Sequence, residues 1–234
     1  MTQISFFSRV LDLIVPRACP SCERRLAITE GPLCAACNMS LPRTMHHLQP
    51  FENEMARLFW GRIPVEKCAA FFLYKPNSTS SYLIYKLKYF DHPEIGEQLG
   101  QLVATEYESE NFFDDITALL PVPLTYRRTI QRGYNQSIEI ARGISSVTGL
   151  PIITKAIRRK TFIESQTHKD LWERNKNVEN TFELNDAAKL NNQHVLLIDD
   201  VITSGATITA IGKELIKVPN IKISVLSLCF ASDK

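Results

Sequence analysis

The chain has 234 residues, which is long enough for one α/β domain with a small appendage and too short for two full enzyme domains. Hydrophobic residues make up 44% and charged residues 22%, so the composition is that of a folded globular protein and excludes extensive disorder. The formal charge of +2 excludes the strongly basic balance of a general nucleic-acid-binding protein, and any such site must therefore be local.

Apolar residues at helical spacing between positions 4 and 15 predict a short amphipathic helix that ends at Pro16. Arg9 and Asp12 interrupt the apolar run and no small-residue cleavage site follows it, which argues against a signal peptide. No other segment approaches the roughly 18 uninterrupted apolar residues of a membrane span, so we expect a cytoplasmic protein without membrane insertion.

Two Cys-x-x-Cys pairs follow in a segment with little periodicity. They consist of Cys19, Cys22, Cys34 and Cys37. Four thiolates at this spacing can hold one tetrahedral Zn2+, and metal binding replaces the hydrophobic core that so short a segment lacks. Two redox pairs or unrelated thiols are the alternative, although a thioredoxin-type pair needs a neighbouring βαβ pattern. We predict a structural zinc module within residues 1–45.

The other two cysteines, Cys68 and Cys229, lie in apolar runs and are predicted to be buried core residues. His46 and His47 follow the cysteine segment and are predicted to lie at the surface, where at most they compete as metal ligands. We therefore expect the zinc site to be closed by the four cysteines of the two pairs.

From residue 60 onward, apolar runs alternate with helical patterns. Strands are predicted at 67–74, 116–122, 195–198 and 221–230, and helices at 80–109 with a break near His92-Pro93, at 134–148 and at 206–217. The final strand, helix and strand form a βαβ unit, which implies a parallel sheet with right-handed crossovers. We therefore predict an α/β fold, a parallel sheet flanked by helices, over residues 60–234.

The strand at 195–198 leads into two aspartates and a hydroxyl-rich turn that opens a helix. This segment contains Asp199, Asp200, Thr203, Ser204, Gly205, Ala206 and Thr207. Ligands of open α/β sheets bind beyond the carboxyl ends of strands, and backbone N–H groups at a helix start bind phosphate. Adjacent carboxylates can accept hydrogen bonds from the two hydroxyls of a ribose. A helix cap followed by an ordinary turn is the alternative interpretation.

This segment resembles the phosphoribosyl-pyrophosphate (PRPP) binding motif of type I phosphoribosyltransferases, in which a hydrophobic run and two acids precede a Thr/Ser-Gly-rich loop. The resemblance implies a type I phosphoribosyltransferase-like fold for the α/β domain. It also implies that the loop binds the 5-phosphate and that Asp199 and Asp200 contact the ribose diol. Mg2+ would then bridge ribose and pyrophosphate oxygens.

Two basic segments are candidates for the pyrophosphate side of the site and for a lid. The first contains Arg127, Arg128, Arg132 and Gly133, and the second, residues 158–180, contains Gln166, Trp172 and Arg174. Guanidinium groups bind pyrophosphate oxygens bidentately, and the resemblance implies that the second segment closes over PRPP to exclude water. A solvated basic turn and a solvated surface loop are the respective alternatives.

Together, the cysteine pairs and the later motifs resemble the ComF family, whose members join a four-cysteine module to a phosphoribosyltransferase-like domain. Residues 127–137 are similar to its RRRGFNQ segment. Its Q…L…R..N…F segment is matched by Gln166, Leu171, Arg174, Asn175 and Phe182. Residues 129–131 shift the arginine cluster, which leaves open which arginine meets pyrophosphate, and Ser204 replaces the commoner Thr.

Two functions of different class follow. The ComF resemblance implies a PRPP-binding protein that acts in DNA uptake through nucleic-acid handling, with single-stranded DNA and DNA-uptake proteins as partners. The alternative is an active phosphoribosyltransferase that transfers phosphoribose from Mg-PRPP to an unidentified base or amine. A glutamine-dependent amidophosphoribosyltransferase is not expected, because no catalytic cysteine stands next to Met1 and the chain has no room for an ammonia-releasing domain.

Overall fold

A computed structural model describes residues 17–89, 92–160 and 181–231. The helices are α1 (Ala35–Ser40), α2 (Glu54–Arg57), α3 (Thr79–Tyr89), α4 (Pro93–Glu108), α5 (Tyr126–Arg132), α6 (Gln136–Thr148) and α7 (Ala206–Leu215). The strands are β1 (Cys68–Leu73), β2 (Ala118–Pro121), β3 (Ile157–Arg159), β4 (Phe182–Leu184), β5 (His194–Ile202) and β6 (Lys222–Phe230). The helix predicted at 4–15 and the lid residues Gln166, Trp172 and Arg174 lie outside the described residues.

Four of the strands form a parallel sheet in the order β1-β6-β5-β2, and β3 and β4 form a separate antiparallel pair. The four parallel strands are mostly apolar and buried because the sheet is covered on both faces. β5 has a neighbour on either side, so its carboxyl end lies in the middle of one sheet edge. The predicted parallel α/β fold is confirmed.

β5 is longer than the sequence predicts. The apolar run ends at Ile198, but parallel pairing with β6 continues to Ile202, opposite Phe230. Backbone hydrogen bonds to β6 therefore keep the chain extended through two aspartates, which local propensity disfavours in strands. As a result, Asp199 and Asp200 belong to the strand itself instead of the loop after it.

Each face of the sheet carries its own hydrophobic layer. On one face, α3, α4 and α6 pack against the strands, and on the other, α7, the segment around Phe59 and the β3–β4 pair do so. α4 and α6 touch backbone to backbone, since a Cβ at Gly143 would lie 2.0 Å from the carbonyl oxygen of Glu97. None of the described helices is both long and apolar enough to cross a membrane.

The cysteine segment packs on the layer that contains α3 and α4. Its buried residues belong to the same hydrophobic cluster as those helices: Cys19, Leu26, Leu33, Cys34, Cys37 and Leu41. Just beyond it, Arg43 forms a 2.6 Å ion pair with Glu106 of α4 and lies 4.1 Å from the ring centroid of Phe71. The predicted boundary between the zinc module and the α/β domain stays a prediction.

Two segments predicted as loops contain regular structure. The basic residues after β2 form α5, which begins after a Thr125 side-chain cap and ends at Gly133, where φ is +76°. The segment predicted as a lid begins in β3, because Arg158 pairs with Glu183 of β4 at 2.5 Å. This pairing joins residues on either side of the undescribed 161–180 segment, and periodicity within one segment does not reveal it.

His46 is buried, contrary to the prediction that it lies at the surface. It is 7% exposed, and its Nδ1 accepts a hydrogen bond from the backbone N–H of Ala70 in β1 at 3.4 Å. Burial lowers the pKa of His46, so the neutral ring is favoured. The predicted burial of Cys68 and Cys229 is confirmed, with 1% and 0% exposure.

Candidate functional site

Two acidic side chains lie next to each other at the carboxyl end of β5. Asp200 is 9% exposed, and its Oδ2 lies 3.3 Å from Nζ of Lys88, in the last turn of α3. The backbone N–H of Asp200 donates to Oδ1 of Asp199 at 2.9 Å. The structure thus places the two predicted ribose acceptors at consecutive positions at the end of one strand and adds a cation next to Asp200.

Asp199 receives a second contact from α6. The hydroxyl of Ser137 lies 3.4 Å from its Oδ1, within reach of a hydrogen bond. Burial and the negative charge of Asp200 raise the pKa of Asp199 to about 7, against the opposing effects of Lys88 and Ser137. Near neutral pH, Asp199 is therefore only partly ionised. A ligand that donates hydrogen bonds to Asp199 would stabilise its ionised form.

The turn after β5 leaves backbone donors accessible. Gly205 precedes α7 with φ +72°, and it has no side chain that could cap the helix. Thr203, Ser204 and Ala206 are exposed, and Thr207 is half-buried. The first N–H groups of α7 can therefore bind an anion, aided by the helix dipole.

The position of Gly205 is constrained by packing as well as by its φ angle. A Cβ at Gly205 would lie 2.9 Å from Cε1 of Phe59, a fully buried ring beside α2. Arg62, a few residues later, reaches the carbonyl oxygen of Ser204 at 3.5 Å. The segment between α2 and β1, for which the sequence predicts no element, therefore supports the shape of the phosphate-loop candidate.

The predicted basic residues do not all face the acid pair. Burial and the positive charge of Arg128 lower the pKa of Arg159, and the charge of Asp199 opposes this shift. The charges of Arg128 and Asp199 thus both act on Arg159. Arg132 instead donates to Oε1 of Gln136 at 2.9 Å. Its guanidinium carbon lies 5.8 Å from the ring centroid of Tyr89. Arg127 is exposed on α5, and Gly133 ends that helix.

Lys88 is absent from the residues that the sequence predicts for this site. It is one of two lysines in the last turn of α3, where basic residues also stabilise the helix dipole. Lys86, two positions earlier, contacts Glu23 of the cysteine segment at 2.8 Å. No local signal separates the two lysines, because only the packing of α3 against the sheet brings Lys88 to Asp200.

The four predicted metal ligands converge at one point. Their Sγ atoms all lie within 4.8 Å of one another, and those of Cys22 and Cys34 are 3.7 Å apart. A tetrahedral zinc site with Zn–S bonds of about 2.3 Å places its sulfurs about 3.8 Å apart, so the cluster fits this metal. Burial raises the pKa of Cys19, but backbone N–H groups of Cys34, Cys22 and Ser21 outweigh it and lower that pKa to about 7. The thiolate form that binds a metal is thus favoured at Cys19, whereas burial raises the pKa of Cys37 to about 12.

We expect one Zn2+ per chain in protein purified without chelator, measured by elemental analysis. Cys34→Ser should release the metal and lower the melting temperature of the whole chain, because Cys34 is buried in the cluster that continues into α3 and α4. Cys68→Ser is the matched control, since it disturbs a buried thiol in β1 and should keep the metal. Folded wild-type protein with no zinc and four freely reactive thiols would contradict the assignment.

Asp199→Asn should stabilise the protein without ligand at alkaline pH. The pKa of Asp199 is raised from 3.8 to about 7 on folding, so the native state binds the proton more tightly and wild-type stability falls as pH rises through this window. The variant should melt a few degrees higher at pH 8 and equally at pH 4, since about 1 kcal/mol shifts the melting temperature by roughly 2–4 °C at this size. Thermal melts from pH 4 to 8 test this, with Asp186→Asn at an exposed ion pair as control. Equal melting temperatures throughout would show that burial does not oppose this charge.

Comparison with known proteins places these features in a family. A sequence model of the phosphoribosyl transferase domain matches residues 86–233, which is more than half of the chain. DNA utilization protein YhgH of Escherichia coli O157:H7 is 26% identical over 232 residues, covering 93% of this chain and 98% of that protein. Competence protein F of Haemophilus influenzae is 27% identical over 225 residues, covering 91% and 96%.

Among solved structures, the glutamine PRPP amidotransferase from B. subtilis aligns with a TM-score of 0.40 and 15% identity. The alignment covers 61% of this chain and 30% of that enzyme, so the chain spans about a third of its length. The sequence match begins in α3 and includes the acid pair and the loop before α7. The two sequence relatives confirm the resemblance to ComF proteins, and the chain belongs to the phosphoribosyl transferase domain family.

Proposed function

We propose that this protein binds PRPP with Mg2+ at the carboxyl end of β5 and acts in DNA uptake by handling nucleic acid. The observation that carries the first part is the open start of α7 directly after the partly buried pair Asp199 and Asp200. Two carboxylates that can accept hydrogen bonds from hydroxyls are thereby followed, within a few residues, by backbone N–H groups that can bind an anion. The names of the relatives, a DNA utilization protein and a competence protein, support the second part.

Each part of PRPP has a matching group in this arrangement. Backbone N–H groups and hydroxyls of residues 203–207 would hold the 5-phosphate, and the acid pair would accept from the ribose diol. Arg159 would meet the pyrophosphate together with Arg128, because the charges of Asp199 and Arg128 both act on Arg159. Carboxylate oxygens of Asp199 and Asp200 are ligands of the type that Mg2+ prefers, and the metal would supply charge neutralisation for the pyrophosphate.

Family membership also favours a second candidate, an active phosphoribosyltransferase. Incubation with Mg-PRPP and a panel of bases and amines, followed by an assay for released pyrophosphate, separates the two candidates. Release above the level without acceptor would support the enzyme. Tight PRPP and single-stranded DNA binding without release would support the nucleic-acid-handling protein.

The first test of PRPP binding is calorimetry with Mg-PRPP on loop variants. Asp200→Asn exchanges a charged acceptor for a neutral amide and should weaken binding by about 5- to 150-fold, which corresponds to roughly 1–3 kcal/mol. Gly205→Val should abolish binding, because a β-branched residue is strained at φ +72° and its Cβ would collide with Phe59. Asp186→Asn, at an exposed ion pair with Lys189, is the control and should bind as wild type. Undiminished binding in both loop variants, with folding verified by thermal melts, would refute the site.

A second test uses the two lysines of α3. Lys88→Met removes the cation beside Asp200 at similar side-chain length and should weaken PRPP binding by roughly tenfold or more, since hydrogen bonds to charged groups contribute about 1.5–3 kcal/mol. Lys86→Met breaks a contact with the largely exposed Glu23 and should leave PRPP affinity within about twofold, because such ion pairs contribute little. Calorimetry that gives equal affinities for both variants would exclude a role for Lys88 in the site.

A further inference from the structure

A row of tyrosines is exposed along α3. Tyr82, Tyr85 and Tyr89 have 38%, 52% and 60% of their surface exposed. Their spacing of three and four residues places them on one face of the helix. The opposite face is buried in the core through Leu83, Ile84 and Leu87. The need to bury one face of the helix explains these aliphatic residues. It does not explain why large aromatic rings cover the solvent-exposed face.

The row runs from the candidate phosphate site to the cysteine segment. At its carboxyl end, the guanidinium of Arg132 lies 5.8 Å from the ring centroid of Tyr89. Tyr85 and Tyr89 have ring centroids 5.1 Å apart. At its amino end, Tyr82 lies 3.4 Å from a carboxylate oxygen of Glu23 and beneath Nζ of Lys86 at 5.0 Å. The tyrosines of α3 thus extend from the candidate phosphate site to the cysteine segment.

A groove continues this surface at the amino end of α3. It has a volume of about 580 Å³ and is lined by Ser21, Tyr74, Asn77, Ser78, Tyr82 and Tyr85, among others. Tyr74 adds a fourth partly exposed ring, with 41% exposure, and follows the carboxyl end of β1. Because β1 and β5 are parallel strands of one sheet, this groove and the acid pair open at the same sheet edge.

We propose that Tyr82, Tyr85 and Tyr89 form a stacking surface for consecutive bases of single-stranded DNA that passes between the phosphate site and the groove. This inference rests on the proposed function and specifies where the nucleic acid lies. Aromatic rings bind base faces regardless of sequence, at about 1–3 kcal/mol per base. From Tyr82 to Tyr89 the helix rises about 10 Å at 1.5 Å per residue, which is the span of roughly two or three nucleotides.

Charge and ring exposure together favour single-stranded DNA as the ligand of the tyrosine row. At the amino end, Lys86 beside Tyr82 is paired with Glu23. At the carboxyl end, Arg132 lies near Tyr89, and the exposed Arg127 and Arg128 extend the positive surface along α5. Such groups attract a phosphate backbone while the rings bind its bases. A duplex hides its base faces within the stack, and a lone base would cover only one ring. A single strand therefore fits both features.

The test is fluorescence anisotropy with labelled oligo-deoxythymidine. The double variant Tyr85→Ala, Tyr89→Ala should bind the strand at least about fivefold more weakly than wild type, as loss of stacking on one ring requires. The double variant Tyr85→Phe, Tyr89→Phe keeps the rings and should retain wild-type affinity. Phe51→Ala removes a 67% exposed ring outside this surface and should have no effect. The salt dependence should stay that of wild type in every variant, because no phosphate contact is removed.

Three results of the DNA-binding measurements would overturn the proposal. They are equal affinity of the alanine variant and wild type, duplex DNA bound as tightly as the single strand, and no binding of single-stranded DNA by wild type. In the last case the tyrosine face would instead suit a protein partner. Calorimetry with Mg-PRPP on the same variants separates this proposal from the PRPP site, since PRPP affinity should not change. A joint loss of PRPP binding and thermal stability would show that the tyrosines are structural, and would also overturn it.

Discussion

Two carboxylates on consecutive residues of an interior strand repel each other and have lost part of their water. Other elements at this edge of the sheet place polar and basic side chains next to these carboxylates. Lys88 approaches from α3 and the Ser137 hydroxyl from α6, and the charge of Asp199 acts on Arg159 in the β3–β4 pair. Four separate parts of the chain therefore meet at one point, and a ligand with two hydroxyls and several phosphate oxygens would complete their hydrogen bonds and charges.

Helix α3 connects this point with the cysteine cluster. Its first residue, Thr79, shares a hydrogen bond with Ser40 at 2.9 Å, and Lys86 contacts Glu23 at 2.8 Å. Its last turn carries Lys88. Since the cysteines are buried in the same cluster as this helix, a zinc ion that orders them would also hold α3 in place. The cysteine cluster and the acid pair are thus connected through one helix.

The shape of the candidate phosphate loop depends on two constraints that act at the same residue. Gly205 adopts a positive φ angle, and its missing side chain leaves room for the ring of Phe59. The first constraint is local and can be read from a glycine within a turn. The second comes from a segment more than a hundred residues earlier, which has no periodic pattern. A substitution at Gly205 therefore tests backbone geometry and packing together, whereas Asp200→Asn tests the carboxylate and its charge, including the pairing with Lys88.

The sequence by itself determined the parts whose chemistry lies within a few neighbouring residues. Two examples are the acid pair followed by residues 203–207 and the two cysteine pairs. A third is the alternation of apolar runs with helical patterns, which predicted the parallel fold. Only the tertiary structure decided that β5 extends through the aspartates, that the charge of Asp199 acts on Arg159, and that Lys88 reaches Asp200. These features depend on contacts between residues far apart in the chain, and such contacts are set by how helices and strands pack, which no local pattern records.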